Sequence, residues 1–258
     1  KSTSMRSRIL GHFAGEHTDS KEQRLARQVR RIDWSETAGE LGALLREAEW
    51  IKTQRPLYNR RLKAGSEALT IRSPAGSEAC VELTDVASIE AGGLSDCFGL
   101  FRSRKDALKA LTDIARAQQL CLKVLGLEPS AGSCFAYQLG KCRGACVGKE
   151  PLALHRMRLQ LALSSLKLKS WPFPGRIALR EQDGRGRAEL HVLEDWIHLG
   201  TAYSEEDLAQ LRQAALPQRF DADVYRILVR HFADRSAGGP GSRDRYDWHD
   251  LRAANRYA

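Results

Sequence analysis

The sequence predicts an α+β fold, in which helices and short antiparallel strands occupy separate stretches of the chain. In several segments apolar residues recur every three or four positions, a spacing typical of helices that pack on one face. Other segments alternate apolar and polar residues and are separated by Gly- or Pro-containing turns, as antiparallel strands are. With 258 residues, of which 42% are hydrophobic, the chain is long enough to bury a real core.

Charge and cysteine content narrow the classes of function. The chain has 41 Lys and Arg against 32 Asp and Glu, and a net charge of +9 favours a polyanionic partner, although many basic proteins bind none. No apolar stretch approaches the roughly 20 residues that a bilayer requires, so no membrane partner is expected. Six Cys without a recognisable secretory signal favour reduced thiols or a metal site in a cytoplasmic protein.

The first half of the chain alternates helices with a few short strands. Met5, Ile9 and Phe13 recur every four residues and predict a helix at the front of the chain. Thr37 is expected to cap a later helix, with Glu40 at the capping-box position. The elements predicted here are helices over 1–13, 15–31 and 38–52, strands over 31–34, 69–72 and 79–83, and a helix over 104–120 that Ser103 caps.

The second half begins with a Cys-rich loop over 121–148 and a helix over 152–169. The segment Ser170–Gly175 contains two prolines and is the best domain boundary. Strands are predicted over 176–180, 188–193 and 196–201, followed by two helices capped by Ser204 and Asp221. The predicted domains are therefore residues 1–66, 67–169 and 170–234, with a disordered tail over 235–258.

Two helices near the front carry candidate residues for phosphate and metal chemistry. On a helix over 1–13, Lys1, Arg8 and His12 share one side, which suits an anionic substrate, although a solvated basic face is the plainer alternative. Glu47 falls at the edge of the apolar stripe of the helix over 38–52. It is either an ordinary solvated Glu or a ligand for a hard divalent ion such as Mg²⁺.

These segments resemble nuclease domains of the GIY-YIG family. The stretch Lys1–Arg8 resembles the residues that follow the second half of the signature, Ala38–Glu47 resembles the helix with the metal-binding glutamate, and Arg55-Pro-Leu-Tyr-Asn59 resembles the closing motif. Within the family the sequence is most similar to the excinuclease C N-terminal domain and its Cho-type relatives. The predicted fold is then a truncated GIY-YIG α/β sandwich, a helical Cys-rich segment, and a small three-stranded sheet with two helices.

The resemblance implies a role for each candidate residue. Glu47 would hold one Mg²⁺ or Mn²⁺ against the scissile phosphate, Arg8 would stabilise charge on the phosphoryl oxygens, and Lys1 and Asn59 would position the DNA backbone and order the site. Excinuclease C usually has a tyrosine at the position of His12. The two signature tyrosines would precede Lys1, so the chain as given is expected to cut DNA weakly or not at all. The residues expected to contact DNA are Lys1, Arg6, Arg8, His12 and Arg55.

Four cysteines form a candidate metal centre. Cys121, Cys134, Cys142 and Cys146 lie within one span of 26 residues, which suits zinc or an iron–sulfur cluster, with unrelated thiols as the alternative. The run from Tyr137 to Cys146 resembles the cysteine segment of excinuclease C, which implies a [4Fe–4S] cluster in preference to zinc. Cys80 and Cys97 are expected to be structural.

The predicted function is a repair endonuclease that makes metal-dependent incisions in damaged or structured double-stranded DNA. The alternative is a non-catalytic DNA-binding or docking module. Residues 171–225 resemble the tail of a fused protein in which a DNA polymerase III epsilon-like 3′→5′ exonuclease precedes a Cho-like endonuclease. Other excision-repair proteins or a polymerase are the expected protein partners. Asp221 and Asp223 are interpreted as a helix cap and a solvated first turn.

Overall fold

The computed structural model describes residues 2–13, 26–56, 68–74, 80–90, 92–129, 131–217, 219–236 and 248–251. Most of the predicted helix over 15–31 lies outside these ranges. The strand predicted over 31–34 is wrong, because residues 29–37 form no regular structure. Ile32 and Trp34 alternate with charged residues as a strand would, but both side chains are exposed and no described strand pairs with them.

The front region contains two helices, α1 (Met5–Phe13) and α2 (Glu40–Gln54). Helix α1 buries no residue. Helix α2 has the predicted core face, and it ends where Arg55 adopts a left-handed backbone conformation just before Pro56. The buried residues of α2 are Leu41, Gly42, Leu45, Ala48 and Ile51.

A three-stranded antiparallel sheet follows, with the order β2-β1-β3. Its strands are β1 (Leu69–Arg72), β2 (Glu82–Asp85) and β3 (Cys97–Phe101). The next helix, α3 (Arg104–Ala117), begins as predicted, since the Ser103 hydroxyl accepts a hydrogen bond of 3.1 Å from the backbone N–H of Asp106. Ile71, Phe98 and Leu111 form the core between sheet and helix together with Leu159 of a later helix.

The Cys-rich segment contains one short helix, α4 (Phe135–Gln138), and precedes α5 (Leu152–Leu163). Helix α5 is shorter than predicted, because the chain continues as a 3₁₀ turn over Ser164–Leu166 and then forms a bridge from Lys167 to Phe98. This bridge returns the chain to the three-stranded sheet. The back region, residues 176–251, follows.

The back sheet has four antiparallel strands in the order β6-β5-β4-β7. The three predicted strands are β4 (Ile177–Gln182), β5 (Ala188–Glu194) and β6 (Ile197–Ala202), and they are followed by α6 (Glu205–Gln213) and α7 (Ala222–Ser236). The fourth strand, β7 (Trp248–Asp250), pairs with β4. The prediction of a three-stranded sheet was therefore wrong, and so was the prediction of disorder at these three residues. Three residues are too few to show a strand pattern in sequence.

The largest hydrophobic core extends across the predicted boundary at residues 170–175. Leu41 and Leu45 of α2 lie in the same buried cluster as Ile177 and Leu193 of the back sheet. Within the boundary segment itself, the Trp171 ring packs against aromatic neighbours in an edge-to-face geometry. One core is therefore shared across this boundary, and the back region packs directly on α2. Among the described helices, none is long and apolar enough to cross a membrane.

Candidate active site and metal-ligand clusters

The predicted front-end site is only partly covered by the described residues. Glu47 is half-buried on α2, whereas Arg8 on α1 is exposed. No hydrogen bond or ion pair joins these two side chains within the ranges that the structure describes. Lys1 and Asn59 lie outside those ranges. The convergence of Glu47, Arg8 and Asn59 on one phosphate therefore remains a prediction.

The other residues expected to contact DNA lie on α1 or at the end of α2. Arg6 is exposed and His12 is half-buried, both on α1. Arg55 is exposed, and its backbone N–H donates a 3.0 Å hydrogen bond to the Ile51 carbonyl at the end of α2. The left-handed conformation at Arg55, the first residue of the closing motif, ends α2.

Helix α2 is capped by a carboxylate from the back sheet, which corrects the prediction for Thr37. The Thr37 hydroxyl donates to the carbonyl of Gly39 and caps no backbone N–H of α2. Instead, the two carboxylate oxygens of Glu181 accept hydrogen bonds from the backbone N–H groups of Leu41, at 3.0 Å, and Gly42, at 2.7 Å. These N–H groups have no partner within the helix, so Glu181 satisfies them in the buried interface.

The charge of Glu181 is stabilised where it lies. Burial disfavours the charged form, but the hydrogen bond with His191 and those from the Gly42 and Leu41 backbones outweigh it, lowering the pKa of Glu181 from 4.5 to about 2. A Cβ atom at Gly39 would lie 2.3 Å from the Glu181 carboxylate, so a larger residue there would have to displace the carboxylate. The cap is therefore ionised at neutral pH and closely packed.

Two further ionisable groups lie beside Glu181. Glu189 is 1% exposed, and its Oε1 is 3.4 Å from Nη2 of Arg46. His191 is fully buried, with Nε2 at 3.1 Å from the Glu181 carboxylate and Nδ1 at 3.0 Å from the Thr201 hydroxyl. One ligand atom each from Glu181, Glu189 and His191 lies within 4.8 Å of the others. This set is called the acid–histidine cluster below.

The other end of α2 is also bound to the back region. Lys52 forms an ion pair with Asp221 and lies 3.8 Å from Asp223. Asp221 is the predicted N-cap of α7, since its Oδ1 accepts hydrogen bonds from the backbone N–H groups of Asp223 and Val224. Asp223 was expected to be solvated but is buried, because it packs against Lys52 of α2. Helix α2, and with it Glu47, is thus held by the back region at both ends.

The four predicted cysteines come together in one buried cluster. The Sγ atoms of Cys121 and Cys134 are 3.7 Å apart, and those of Cys121, Cys134 and Cys146 lie within 4.8 Å of one another. Backbone N–H groups donate to two of the sulfurs, from Gly144 to Cys142 at 3.3 Å and from Cys134 to Cys146 at 3.4 Å. Such N–H donors are typical of thiolate ligand sites.

The residues of this thiol cluster fit a metal centre. Burial raises the pKa of Cys134 and Cys142; burial also opposes ionisation of Cys121, but hydrogen bonds lower its pKa. A bound cation would stabilise all the thiolates together. Sulfur atoms about 2.3 Å from one tetrahedral ion lie about 3.8 Å apart, close to the observed 3.7 Å. In a [4Fe–4S] cluster each cysteine binds a different iron, so the sulfurs would have to lie further apart.

His155 supports the thiol cluster from α5. Its Nε2 accepts a 3.0 Å hydrogen bond from the backbone N–H of Cys121, and its side chain is fully buried. Burial lowers the pKa of His155, which keeps the ring neutral and able to accept this bond. The sequence pattern did not single out His155, because a lone histidine on a helix carries no spacing signal.

Comparison with known proteins defines the class of the chain. Three models of protein families match it in order: a UvrC-like GIY-YIG domain over residues 1–60, the UvrC/Cho excinuclease middle domain over 71–165, and the excinuclease Cho C-terminal domain over 176–251. Together they define an excinuclease of the UvrC and Cho type, with a nuclease domain, a cysteine-containing middle domain and a distinct C-terminal domain. No solved structure matches the chain.

Individual relatives narrow the class further. Excinuclease cho of Salmonella typhi is 39% identical over 232 residues, which cover 89% of this chain and 76% of that protein. Excinuclease cho of Escherichia coli K12 is also 39% identical, with 75% of its length covered. UvrABC system protein C of Thermus thermophilus is 30% identical over 157 residues, which are 58% of this chain and 24% of that protein. The chain belongs to the excinuclease Cho family.

This membership confirms the predicted function, a DNA repair endonuclease of the excinuclease C and Cho type. The similarity to a polymerase III epsilon-like fusion protein has no support, since none of the relatives reported above is an exonuclease. The acid–histidine cluster escaped sequence analysis altogether. Its one sequence signal is the pair Glu189 and His191, which are two apart on a strand and so share one face, with Glu181 on the neighbouring strand.

Proposed function

We propose that the endonuclease cuts DNA by metal-assisted hydrolysis at Glu47. In this proposal Glu47 would hold Mg²⁺ or Mn²⁺, which would supply Lewis-acid stabilisation of the charge on the scissile phosphate. The observation that supports the proposal is the position of Glu47, a half-buried carboxylate on a helix that a hydrophobic core and two sets of polar contacts hold in place. A metal-ligand carboxylate needs such a fixed support, because small misplacements are costly in catalysis.

Cations on α1 and at the end of α2 would bind the DNA. Arg8 would stabilise the phosphoryl oxygens, Lys1 and Asn59 would position the backbone, and Arg6, His12 and Arg55 would contact neighbouring phosphates. The net charge of +9 supports a polyanionic substrate. Damaged or distorted double-stranded DNA as the preferred substrate, other repair proteins or a polymerase as partners, an upstream exonuclease and a cytoplasmic location all stay predictions.

Plasmid nicking tests the role of Glu47. The assay uses the full-length natural protein with supercoiled plasmid and Mg²⁺ or Mn²⁺, and compares Glu47→Gln with Glu49→Gln, an exposed glutamate on the same helix. We expect Glu47→Gln to lower the nicking rate at least about 100-fold and Glu49→Gln to leave it nearly unchanged. Equal rates for both variants would contradict the role of Glu47. Binding of DNA without any metal-dependent nicking would favour the docking module instead.

We further propose that Cys121, Cys134, Cys142 and Cys146 bind a metal centre that folds the loop around them. The buried sulfurs and their N–H donors support a thiolate site, and the similarity to the excinuclease C cysteine segment supports a [4Fe–4S] cluster. The 3.7 Å between the sulfurs of Cys121 and Cys134 fits zinc. Iron and zinc analysis of protein purified without oxygen separates the two: about four iron atoms per chain with absorption near 400 nm, or about one zinc without it. Neither metal in any preparation would contradict a metal centre.

A further inference from the structure

The acid–histidine cluster is a second candidate site, separate from Glu47 and from the cysteines. Glu181 lies on β4, Glu189 and His191 lie on β5, and all three are buried. Their ligand atoms point at the first turn of α2, where a Cβ atom on Gly42 would lie 2.5 Å from Glu189 Oε2 and 3.2 Å from His191 Nε2. Glycine at this position therefore lets the cluster approach the helix backbone.

The charges in this cluster do not balance. Glu181 has the two N–H groups of α2 as partners, whereas Glu189 is bound by Arg46, at 3.4 Å and through one oxygen. The second oxygen, Glu189 Oε2, is buried without a hydrogen-bond partner in the part of the chain that the structure describes. A buried carboxylate oxygen without a partner destabilises the folded state, and a cation bound in the cluster would offset that cost.

The hydrogen bonds of the imidazoles also leave room for a cation. The single Thr201 hydroxyl hydrogen can be donated to only one of its two neighbours, His191 Nδ1 at 3.0 Å or His198 Nε2 at 3.2 Å. When Thr201 donates to His198, His191 must donate from Nδ1. Neutral His191 then presents a lone pair at Nε2 to the Glu181 carboxylate, 3.1 Å away. Two acceptors at that distance require a proton or a metal ion between them.

We propose that Glu181, Glu189 and His191 bind a divalent transition-metal ion such as Mn²⁺ or Zn²⁺ at the start of α2. Two carboxylates and one imidazole are ligands that both ions accept. Ligand atoms roughly 2.1 Å from a tetrahedral ion lie about 3.4 Å apart, near the 3.1 Å between Glu181 Oε2 and His191 Nε2. The ion would join β4 to β5, and Glu181 would connect it to the backbone N–H groups of α2. The proposal does not depend on the role of Glu47.

Mn²⁺ titration followed by electron paramagnetic resonance tests the site. Mn²⁺ is a hard ion that thiolates bind poorly, so the cysteine cluster contributes little. The experiment uses chelator-treated full-length protein with Glu47→Gln, which removes the proposed catalytic ion. We expect one bound Mn²⁺ per chain, at least about tenfold weaker binding when Glu189→Gln is added, and no change for Glu206→Gln, an exposed control on α6.

A second variant distinguishes the loss of a metal ligand from misfolding. Glu189→Asp keeps the charge but shortens the side chain, and circular dichroism shows whether each variant is folded. A folded Glu189→Asp or Glu189→Gln protein that binds Mn²⁺ as tightly as its parent overturns the proposal. The proposal is also overturned if the Glu47→Gln parent binds no Mn²⁺. The gap between Glu181 and His191 would then be bridged by a proton. Loss of nicking in Glu47→Gln, with Mn²⁺ still bound, leaves this site supported and tests the catalytic proposal separately.

Discussion

Helices α1 and α2 both carry residues expected to act on the scissile phosphate, yet the structure holds them very differently. Helix α2, with Glu47, buries five residues and is bound at both ends by the back region. Helix α1, with Arg8, buries none. The carboxylate that would bind a metal ion therefore lies on a helix that packs in the hydrophobic core. The arginine that would contact the phosphate lies on a helix that buries no residue.

Because of this difference, substitutions on the two helices should have different effects on stability and on the nicking rate. Substitutions that loosen α2 should lower the free energy of unfolding and the nicking rate together, since the same contacts support the core and position Glu47. Substitutions on α1 should change the rate while leaving stability nearly unchanged. The four predictions below test this separation in order of decreasing effect on stability.

The largest effect on stability is expected from Leu45→Ala in the core face of α2. Leu45 is 2% exposed, and truncating a buried leucine costs about 2–5 kcal/mol. Leu10→Ala on α1, where the side chain is 51% exposed, is the matched control and should cost less than about 0.5 kcal/mol. Urea unfolding followed by circular dichroism measures both. Equal losses for the two variants would contradict the claim that α2 supports the core and α1 does not.

A smaller loss is expected from Glu181→Gln at the start of α2. The substitution removes a charge that two backbone N–H groups and His191 stabilise, at a cost of roughly 2–3 kcal/mol at neutral pH. Because the pKa of Glu181 is lowered to about 2, its contribution is fully present above about pH 4.5 and is lost as the pH falls from there toward 2.

Urea midpoints measured between pH 7 and pH 2.5 check both parts of this prediction. The gap between the wild-type protein and Glu181→Gln should narrow as the pH falls. A gap that stays constant down to pH 2.5 would show that the charge of Glu181 does not stabilise the fold.

The ion pair at the other end of α2 should contribute less. Lys52 and Asp221 are each about one-third exposed, so solvent screens them, and Lys52→Met should cost about 1 kcal/mol or less. Lys109 and Asp113 form a more exposed pair on α3, and Lys109→Met should cost less than about 0.5 kcal/mol. Thermal unfolding at low and high salt measures both variants. If Lys109→Met lowered the stability more than Lys52→Met does, the ion pair between α2 and Asp221 would stabilise the fold no more than an exposed surface pair.

The smallest effect on stability is expected from Arg8→Ala on α1. The side chain is exposed, so the free energy of unfolding should change by less than about 0.5 kcal/mol. If Arg8 stabilises the phosphate in the transition state, the nicking rate should nevertheless fall about 100-fold. Arg8→Lys keeps the charge but not the two-pronged hydrogen bonding, and should recover only part of the rate. A full rate in Arg8→Ala would remove Arg8 from the site.

Sequence patterns predicted the elements whose signals are local. The core face of α2 follows from its apolar spacing, and the caps at Ser103, Ser204 and Asp221 follow from side chains within three residues of the N–H groups they bind. The four cysteines could be grouped because they lie in one short span. The identity of their metal could not be predicted, since zinc and iron–sulfur clusters accept the same thiolates.

Long-range contacts were missed because no local pattern encodes them. Thr37 was the obvious cap for α2, but Glu181, 140 residues from Leu41, caps it instead. The core shared across residues 170–175 could not be predicted either, because the two prolines there carry no information about which distant regions pack together. Strand β7 has three residues, and its pairing with β4 could be recognised only in the folded chain.

A double-variant cycle on nicking by Glu47→Gln and Glu181→Gln tests most directly whether the back region positions the metal-binding carboxylate. Single-turnover rates are measured with excess folded protein, so that differences in stability do not enter. We expect Glu181→Gln to slow nicking by about tenfold when Glu47 is present, and to cause no further loss in the Glu47→Gln protein. Losses that multiply in the double variant would contradict the account, because Glu181 would then act on cleavage without acting through Glu47.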